Sequence, residues 1–154
     1  MRITQYTTEL EKNIPVLVKE KAFNYAEKKQ LTTPQDIYDF MYSTYNLNKK
    51  AEEYIYLLAF NTKMKVVGIF QIGHGNTNSS ICDPRDVFLK ALLCGAVNII
   101  LVHNHPSGDC EPSDIDERTY IRVKAAGDLL GVRLIDNIIV GHSSYYSFIE
   151  HKIF

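Results

Sequence analysis

The sequence predicts an α/β domain: a mixed central sheet with helices packed on its faces, preceded by a short helical segment. Three observations predict it. Two runs rich in apolar residues, Tyr54 to Phe60 and Lys65 to Gly73, flank the turn residues Asn61-Thr62-Lys63. From Pro84 onward, amphipathic stretches alternate with short continuous apolar ones. Gly95 and Gly131 stand where the amphipathic stretches stop, as helix C-termini favour.

In chain order, Lys19 to Gln30 is rich in Lys, Glu and Ala and is expected to be helical. Thr33-Pro34-Gln35-Asp36 offers an N-cap, a proline at the first helical position and an acid in the first turn. Ile37, Phe40, Met41 and Tyr45 follow at helical spacing. Tyr54 to Phe60 reads as a buried strand and Lys65 to Gly73 as its hairpin partner. Gly75 to Asp83 is expected to be a polar loop. Pro84 opens a helix carrying Val87, Phe88, Ala91, Leu92 and Cys94 on its apolar side. Val97 to Val102 is a buried strand. Ser113 to Leu130 is the longest helix, with Ile121, Ala125, Leu129 and Leu130 as its expected buried face. Val132 to Val140 and Tyr145 to Phe148 complete the sheet. The expected organisation is a helical extension over residues 1–49 packed on a domain over residues 50–154.

The chain has 154 residues, 45% hydrophobic and 23% charged, enough for one domain with a sizeable core. No eighteen-residue apolar run occurs, and Met1 to Tyr6 lacks the apolar stretch of a signal peptide, so a cytoplasmic protein without a membrane partner is expected. Cys82, Cys94 and Cys110 are odd in number and form no C-x-x-C pair, which fits reduced thiols. A formal charge of -1 lacks the overall basic footprint of a dedicated nucleic-acid binder.

The chemistry concentrates after the strand Val97 to Val102. His103 and His105 stand at i and i+2, so an extended backbone sends both imidazoles to one side. The end of a central strand is also where open α/β sheets place their sites. Pro106-Ser107-Gly108-Asp109-Cys110-Glu111-Pro112 is a shaped loop leading to Ser113-Asp114-Ile115-Asp116. Read alone, Ser113 and Asp116 are a helix N-cap and a capping-box acid. Read with the histidines, Asp116 completes the three protein ligands of a catalytic zinc ion, whose fourth position is left for water. A general base must then lie nearby, and Glu52 and Glu53, at the mouth of the strand Tyr54 to Phe60, are the two candidates.

The run from an upstream glutamate to His103-x-His105, seven residues to Ser113 and two to Asp116 resembles the JAMM pattern E…H-x-H-x7-S-x2-D of MPN-domain metalloproteases. Within that superfamily the chain is most similar to the RadC family of DNA repair RadC-like proteins. The similarity rests on His103-Asn104-His105-Pro106-Ser107-Gly108, Pro112-Ser113-x-x-Asp116, Pro84-Arg85-x-Val87-Phe88 and Leu134-Ile135-Asp136-x-Ile138-Ile139-Val140-Gly141, and covers about residues 50 to 150. The resemblance implies a cytidine-deaminase-like α/β/α fold and one zinc ion held by His103, His105 and Asp116. It implies Glu53 rather than Glu52 as the catalytic base, because the family's acid stands eight residues before the Asp of a turn matching Asn61-Thr62-Lys63. It also implies that Ser113 stabilises an oxyanion.

Two positions depart from the family pattern, which usually has His where Asp83 and Asn137 stand here. The helix-hairpin-helix region of full-length RadC proteins is not visible in residues 1–49, so no DNA role is expected through it. The reaction implied is hydrolysis of an amide bond in a protein or peptide. The alternatives are a metal-dependent nuclease or DNA-repair factor, and a zinc-stabilised binding domain without catalysis. A base deaminase is disfavoured, since its H-x-E…P-C-x-x-C pattern is missing.

Overall fold

The computed structural model describes residues 1–75 and 82–152. Seven strands and three α-helices follow the order β1 (Arg2–Glu11), β2 (Ile14–Asn24), α1 (Pro34–Tyr45), β3 (Glu53–Phe60), β4 (Val66–Gly75), α2 (Pro84–Leu93), β5 (Asn98–Asn104), α3 (Asp114–Leu130), β6 (Arg133–Val140) and β7 (Tyr145–Ser147). All strands join one sheet in the order β2-β1-β4-β3-β5-β6-β7. The sheet is mixed: β3 runs antiparallel to both β4 and β5, and β5 runs parallel to β6. The predicted α/β class and mixed sheet are therefore what the chain adopts. No helix among the described residues is long and apolar enough to cross a membrane.

Alternation along the central strands divides the core in two. Ile55, Leu57 and Ala59 of β3, with Ile99 and Leu101 of β5, face Val87, Phe88 and Ala91 of α2 and Tyr120 and Val123 of α3. Tyr56, Leu58, Phe60, Ile100 and Val102 face Ile37, Phe40 and Met41 of α1. Both sides of β3 and β5 are thus covered, which is why these strands read as nearly continuous apolar runs. At the head of α1, Thr33 Oγ1 accepts from the Asp36 amide at 3.1 Å, and Asp36 Oδ2 accepts from the Thr33 amide at 3.0 Å. Asp83 caps α2, its Oδ1 accepting from the Arg85 amide at 2.8 Å.

Two expectations are corrected. The helix expected over Lys19 to Gln30 is instead a strand and its exit, because β2 pairs along its length with β1 in an antiparallel hairpin. Lys12 and Asn13 form its two-residue turn, with φ of 51° and 66°, the backbone such tight hairpins need. The β-branched and aromatic residues of β1 provide the partner, and strand pairing overrides the local helix propensity of Lys, Glu and Ala. The segment before the domain is accordingly not helical up to Asn24, and it belongs to the same sheet. On α3 the buried face consists of Tyr120, Val123 and Gly127, while Ile121 and Leu130 are exposed and Leu129 is 87% exposed. The true stripe follows Tyr120, whose ring stacks on Phe148 at 4.9 Å. The helix comes close at Gly127, where a Cβ would stand 2.4 Å from the Val132 carbonyl oxygen. The polar loop expected from Gly75 to Asp83 falls largely on residues 76–81, outside the described residues.

Candidate metal centre

β5 carries His103 on the face covered by α3, and the chain then leaves the strand. The His105 amide donates to the Val140 carbonyl at 3.1 Å, extending the β5–β6 ladder past Asn104 and keeping the backbone extended through both histidines. Their Nε2 atoms come within 3.3 Å of each other. A turn follows at once: Pro106 sits in its second position and the Gly108 amide returns to the His105 carbonyl at 2.9 Å. Gly108 has φ of +85°, and a Cβ there would lie 2.4 Å from His142 Nδ1. Glycine is thus required by both backbone sign and space. The turn brings the Asp109 carbonyl to 2.8 Å from His105 Nδ1. A carbonyl can only accept, so Nδ1 carries the proton in the neutral imidazole and Nε2 keeps a free lone pair.

α3 brings the third group. Asp116 Oδ1 lies 3.1 Å from His103 Nε2, and Oδ2 lies 3.4 Å from His105 Nε2. The same carboxylate completes the helix cap, Oδ2 accepting from the Ser113 amide at 2.7 Å and from Ser113 Oγ at 2.6 Å. Ser113 Oγ in turn accepts from the Asp116 amide at 3.3 Å. Capping and convergence on the histidines are therefore not alternatives, since one side chain does both.

Among the described residues, His103, His105 and Asp116 form a group with one ligand atom each, all within 4.8 Å of one another, that could hold a metal ion. The fit can be judged from spacing. Ligands about 2.0 to 2.1 Å from a tetrahedral ion stand about 3.3 Å apart; the two imidazole Nε2 atoms are 3.3 Å apart, and Asp116 approaches one through Oδ1 at 3.1 Å and the other through Oδ2 at 3.4 Å, so the group is of a size to close on one ion. The donor set, two imidazole nitrogens and a carboxylate, suits zinc chemistry.

Glu53, the first residue of β3, opens into the same cavity of about 330 Å³ as His103, His105, Ser113 and Asp116. Half-buried, its carboxyl is raised above the usual range by burial; the nearby imidazoles oppose this and the Asp116 charge adds to it. Burial also works against ionisation of Asp116, but His103, His105 and the Ser113 hydroxyl outweigh it and hold that carboxyl well below its ordinary value. For His105, burial disfavours the charged ring, yet Asp116 and the Asp109 carbonyl raise its affinity for a proton overall.

Glu52 does not reach this cavity. Its carboxylate is exposed and pairs with His74 Nε2, and the His74 ring stacks on Tyr54 at 4.3 Å. His74 is in β4. Of the two acids at the mouth of β3, alternation puts Glu53 on the histidine face and Glu52 off it. Cys82 also lines the cavity, its thiol pushed up to about 12 by burial and so kept protonated. Apolar Ile55, Leu101 and Ile115 complete much of the wall.

Two contributors lie outside the expected site residues. Asn137 lines the cavity and is only 3% exposed, and its place there follows from β6 lying beside β5. Asn104 lies between the two histidines, yet its side chain bonds to the backbone of β3. The signal was a polar residue between two histidines in a strand, but its partner lies fifty residues away.

Residues 31–153 match the family model described as the RadC-like JAB domain. A UPF0758 protein of Pelobacter propionicus is 37% identical over 124 residues, covering 80% of this chain and 53% of that protein. One of Staphylococcus haemolyticus is 38% identical over 133 residues, covering 86% and 58%. One of Alkaliphilus metalliredigens is 41% identical over 124 residues, covering 80% and 53%. The chain spans about half the length of the curated relatives it matches.

Proposed function

The chain belongs to the RadC-like JAB domain family, and from that premise we propose that it is a zinc-dependent hydrolase of JAMM type acting on an amide bond of a protein or peptide. The observation that carries this reading is the meeting of His103, His105, Asp116 and Glu53 in one cavity. His103, His105 and Asp116 would hold the ion. Zinc there supplies a Lewis acid and makes water acidic near neutral pH.

The remaining chemistry falls to the chain's own groups. Glu53 takes the proton of the attacking water and passes it to the leaving amine nitrogen. Its burial suits it to both steps, because a carboxylate with raised proton affinity is a better base and, once protonated, still an acid. The Ser113 hydroxyl, which donates to Asp116 at 2.6 Å without substrate, rotates to donate to the oxyanion as the carbonyl becomes tetrahedral. Ile55, Leu101 and Ile115 exclude water from one side of the cavity and strengthen these polar contacts.

The test pairs elemental analysis with turnover on peptide and Lys-ε-isopeptide libraries. Glu53→Gln is expected to keep about one zinc per chain and to lose hydrolysis by about a hundredfold or more. Undiminished turnover in that variant removes Glu53 from the mechanism. Zinc retained after both His103→Ala and Asp116→Ala removes the metal assignment.

A further inference from the structure

The β3–β5 ladder reaches Ile55 opposite His103. Beyond it the His105 amide bonds to Val140 of β6, while Tyr54 and Glu53 of β3, and Glu52 before them, still have to be placed. The Asn104 side chain fills that gap. Its Oδ1 accepts from the Tyr54 amide at 2.9 Å, and its Nδ2 donates to the Glu52 carbonyl at 3.0 Å. A backbone amide can only donate and a carbonyl can only accept, so the orientation of the Asn104 amide is fixed by its partners. The side chain mimics one more peptide rung, and it is 1% exposed.

Those two bonds bracket Glu53. On its other side Glu53 pairs with Gly75 of β4, so its peptide is held from both neighbouring strands. We propose that Asn104 is a positioning residue for Glu53, locking the first residue of β3 so that its carboxylate faces the His103–His105–Asp116 group. Three consecutive residues then place both imidazoles and the acid. His103 and His105 project to one face, and Asn104 between them reaches sideways to fix the acid they work with. Asn has the needed donor and acceptor in one planar group at this length. Asp lacks the donor, and Ser cannot span two backbone groups two residues apart.

This inference rests on the metallohydrolase reading, and its test reads geometry without turnover. Acetohydroxamate chelates zinc and shares its acidic proton with an adjacent carboxylate, so its affinity reports where Glu53 stands. Titration calorimetry is run on the zinc-loaded chain, on Glu53→Gln, on Asn104→Ala and on the double variant, with zinc content checked in each. Glu53→Gln and Asn104→Ala are each expected to weaken binding about tenfold, and the double variant no more than either alone. Asn104→Ser, which leaves a smaller void, is expected to show a similar loss and serves if the alanine variant fails to fold. In both Asn104 variants the Tyr54 amide is expected to lose its protection from hydrogen exchange.

Binding by Asn104→Ala within about twofold of wild type overturns the proposal. So do losses that multiply in the double variant, because Asn104 then acts independently of Glu53. A protected Tyr54 amide in Asn104→Ala overturns the clamp itself. If Glu53→Gln binds as wild type does, or wild type binds no hydroxamate, the hydrolase reading fails first and the positioning role falls with it.

Discussion

Ser113 and Asp116 hold each other at the head of α3: Asp116 Oδ2 accepts from both the amide and the hydroxyl of Ser113, at 2.7 and 2.6 Å, while Oδ1 stands 3.1 Å from His103 Nε2. The hydrogen bonds that start the helix thus also fix the angle at which the Asp116 carboxylate meets the histidines. This follows from the helix beginning immediately after the loop that the histidines open.

Ser113→Ala is expected to act on both roles. Loss of the cap should cost the metal-free protein about 1 kcal/mol in denaturant unfolding. Losing the bond that orients Asp116 should weaken zinc binding about tenfold or more. Competition with a chromogenic chelator measures the second effect, and unchanged affinity would show that Asp116 does not depend on its cap partner.

His105 gives a pH dependence with a defined sign. Its folded pKa is raised, with Asp116 and the Asp109 carbonyl outweighing the effect of burial. In the metal-free chain its contribution to stability is fully present below the unfolded value of about 6.5 and is lost as pH rises through the folded pKa. A metal needs the neutral ring, so stabilisation by zinc should grow over that same interval. Melting curves taken with EDTA and with zinc should diverge as pH rises across it; parallel curves would exclude His105 from the ligand set.

Gly108→Ala is expected to destabilise the chain by about 2 kcal/mol, because φ of +85° is unfavourable for alanine and the added methyl meets the His142 ring. The same change shifts the Asp109 carbonyl that orients His105, so zinc affinity should fall as well. A variant with altered stability and wild-type metal affinity would separate the turn from the ligand it appears beside in sequence.

Asp136 sits 2% exposed beneath β7, its Oδ2 accepting from Ser147 Oγ at 2.6 Å and its Oδ1 from the amides of Asn137 and Ile149 at 2.8 and 3.1 Å. Burial raises its pKa despite these bonds. Its contribution is therefore most favourable below the unfolded value of about 3.9 and is lost as pH rises through the folded one. Asp136→Asn is expected to remove that part of the pH dependence, with Asn donating to Ser147 in place of accepting from it. Unfolding free energies of the two proteins compared from acid to neutral pH check this; curves of identical slope would contradict it.

Much of the site was legible because it is local. His103, His105, Ser113 and Asp116 lie within fourteen residues, and their geometry follows from one strand end and one helix start. Strands β3 and β5 were legible for a related reason, since burial on both faces makes each a nearly continuous apolar run. The hairpin of β1 and β2 was not. The composition of Lys19 to Asn24 favours a helix, and only pairing with Arg2–Glu11 makes it a strand. The buried stripe of α3 was misread because several of its apolar residues, Leu129 among them, face outward, while Gly127, with no side chain, makes the close approach. Asn104 was illegible as a positioning candidate because its partners depend on which strand lies beside β5.

That neighbour relation also governs when the centre can exist. β3 and β5 are adjacent in the sheet, but β4 and α2 lie between them in the chain, so Glu53 meets the histidines only after a loop of about fifty residues has closed. His103, His105 and Asp116, by contrast, lie within fourteen residues and can meet as soon as one strand end and one helix start have formed. The group that could grip an ion and the acid beside it therefore come together in separate steps of folding, the first by local contacts and the second only once β3 has docked on β5.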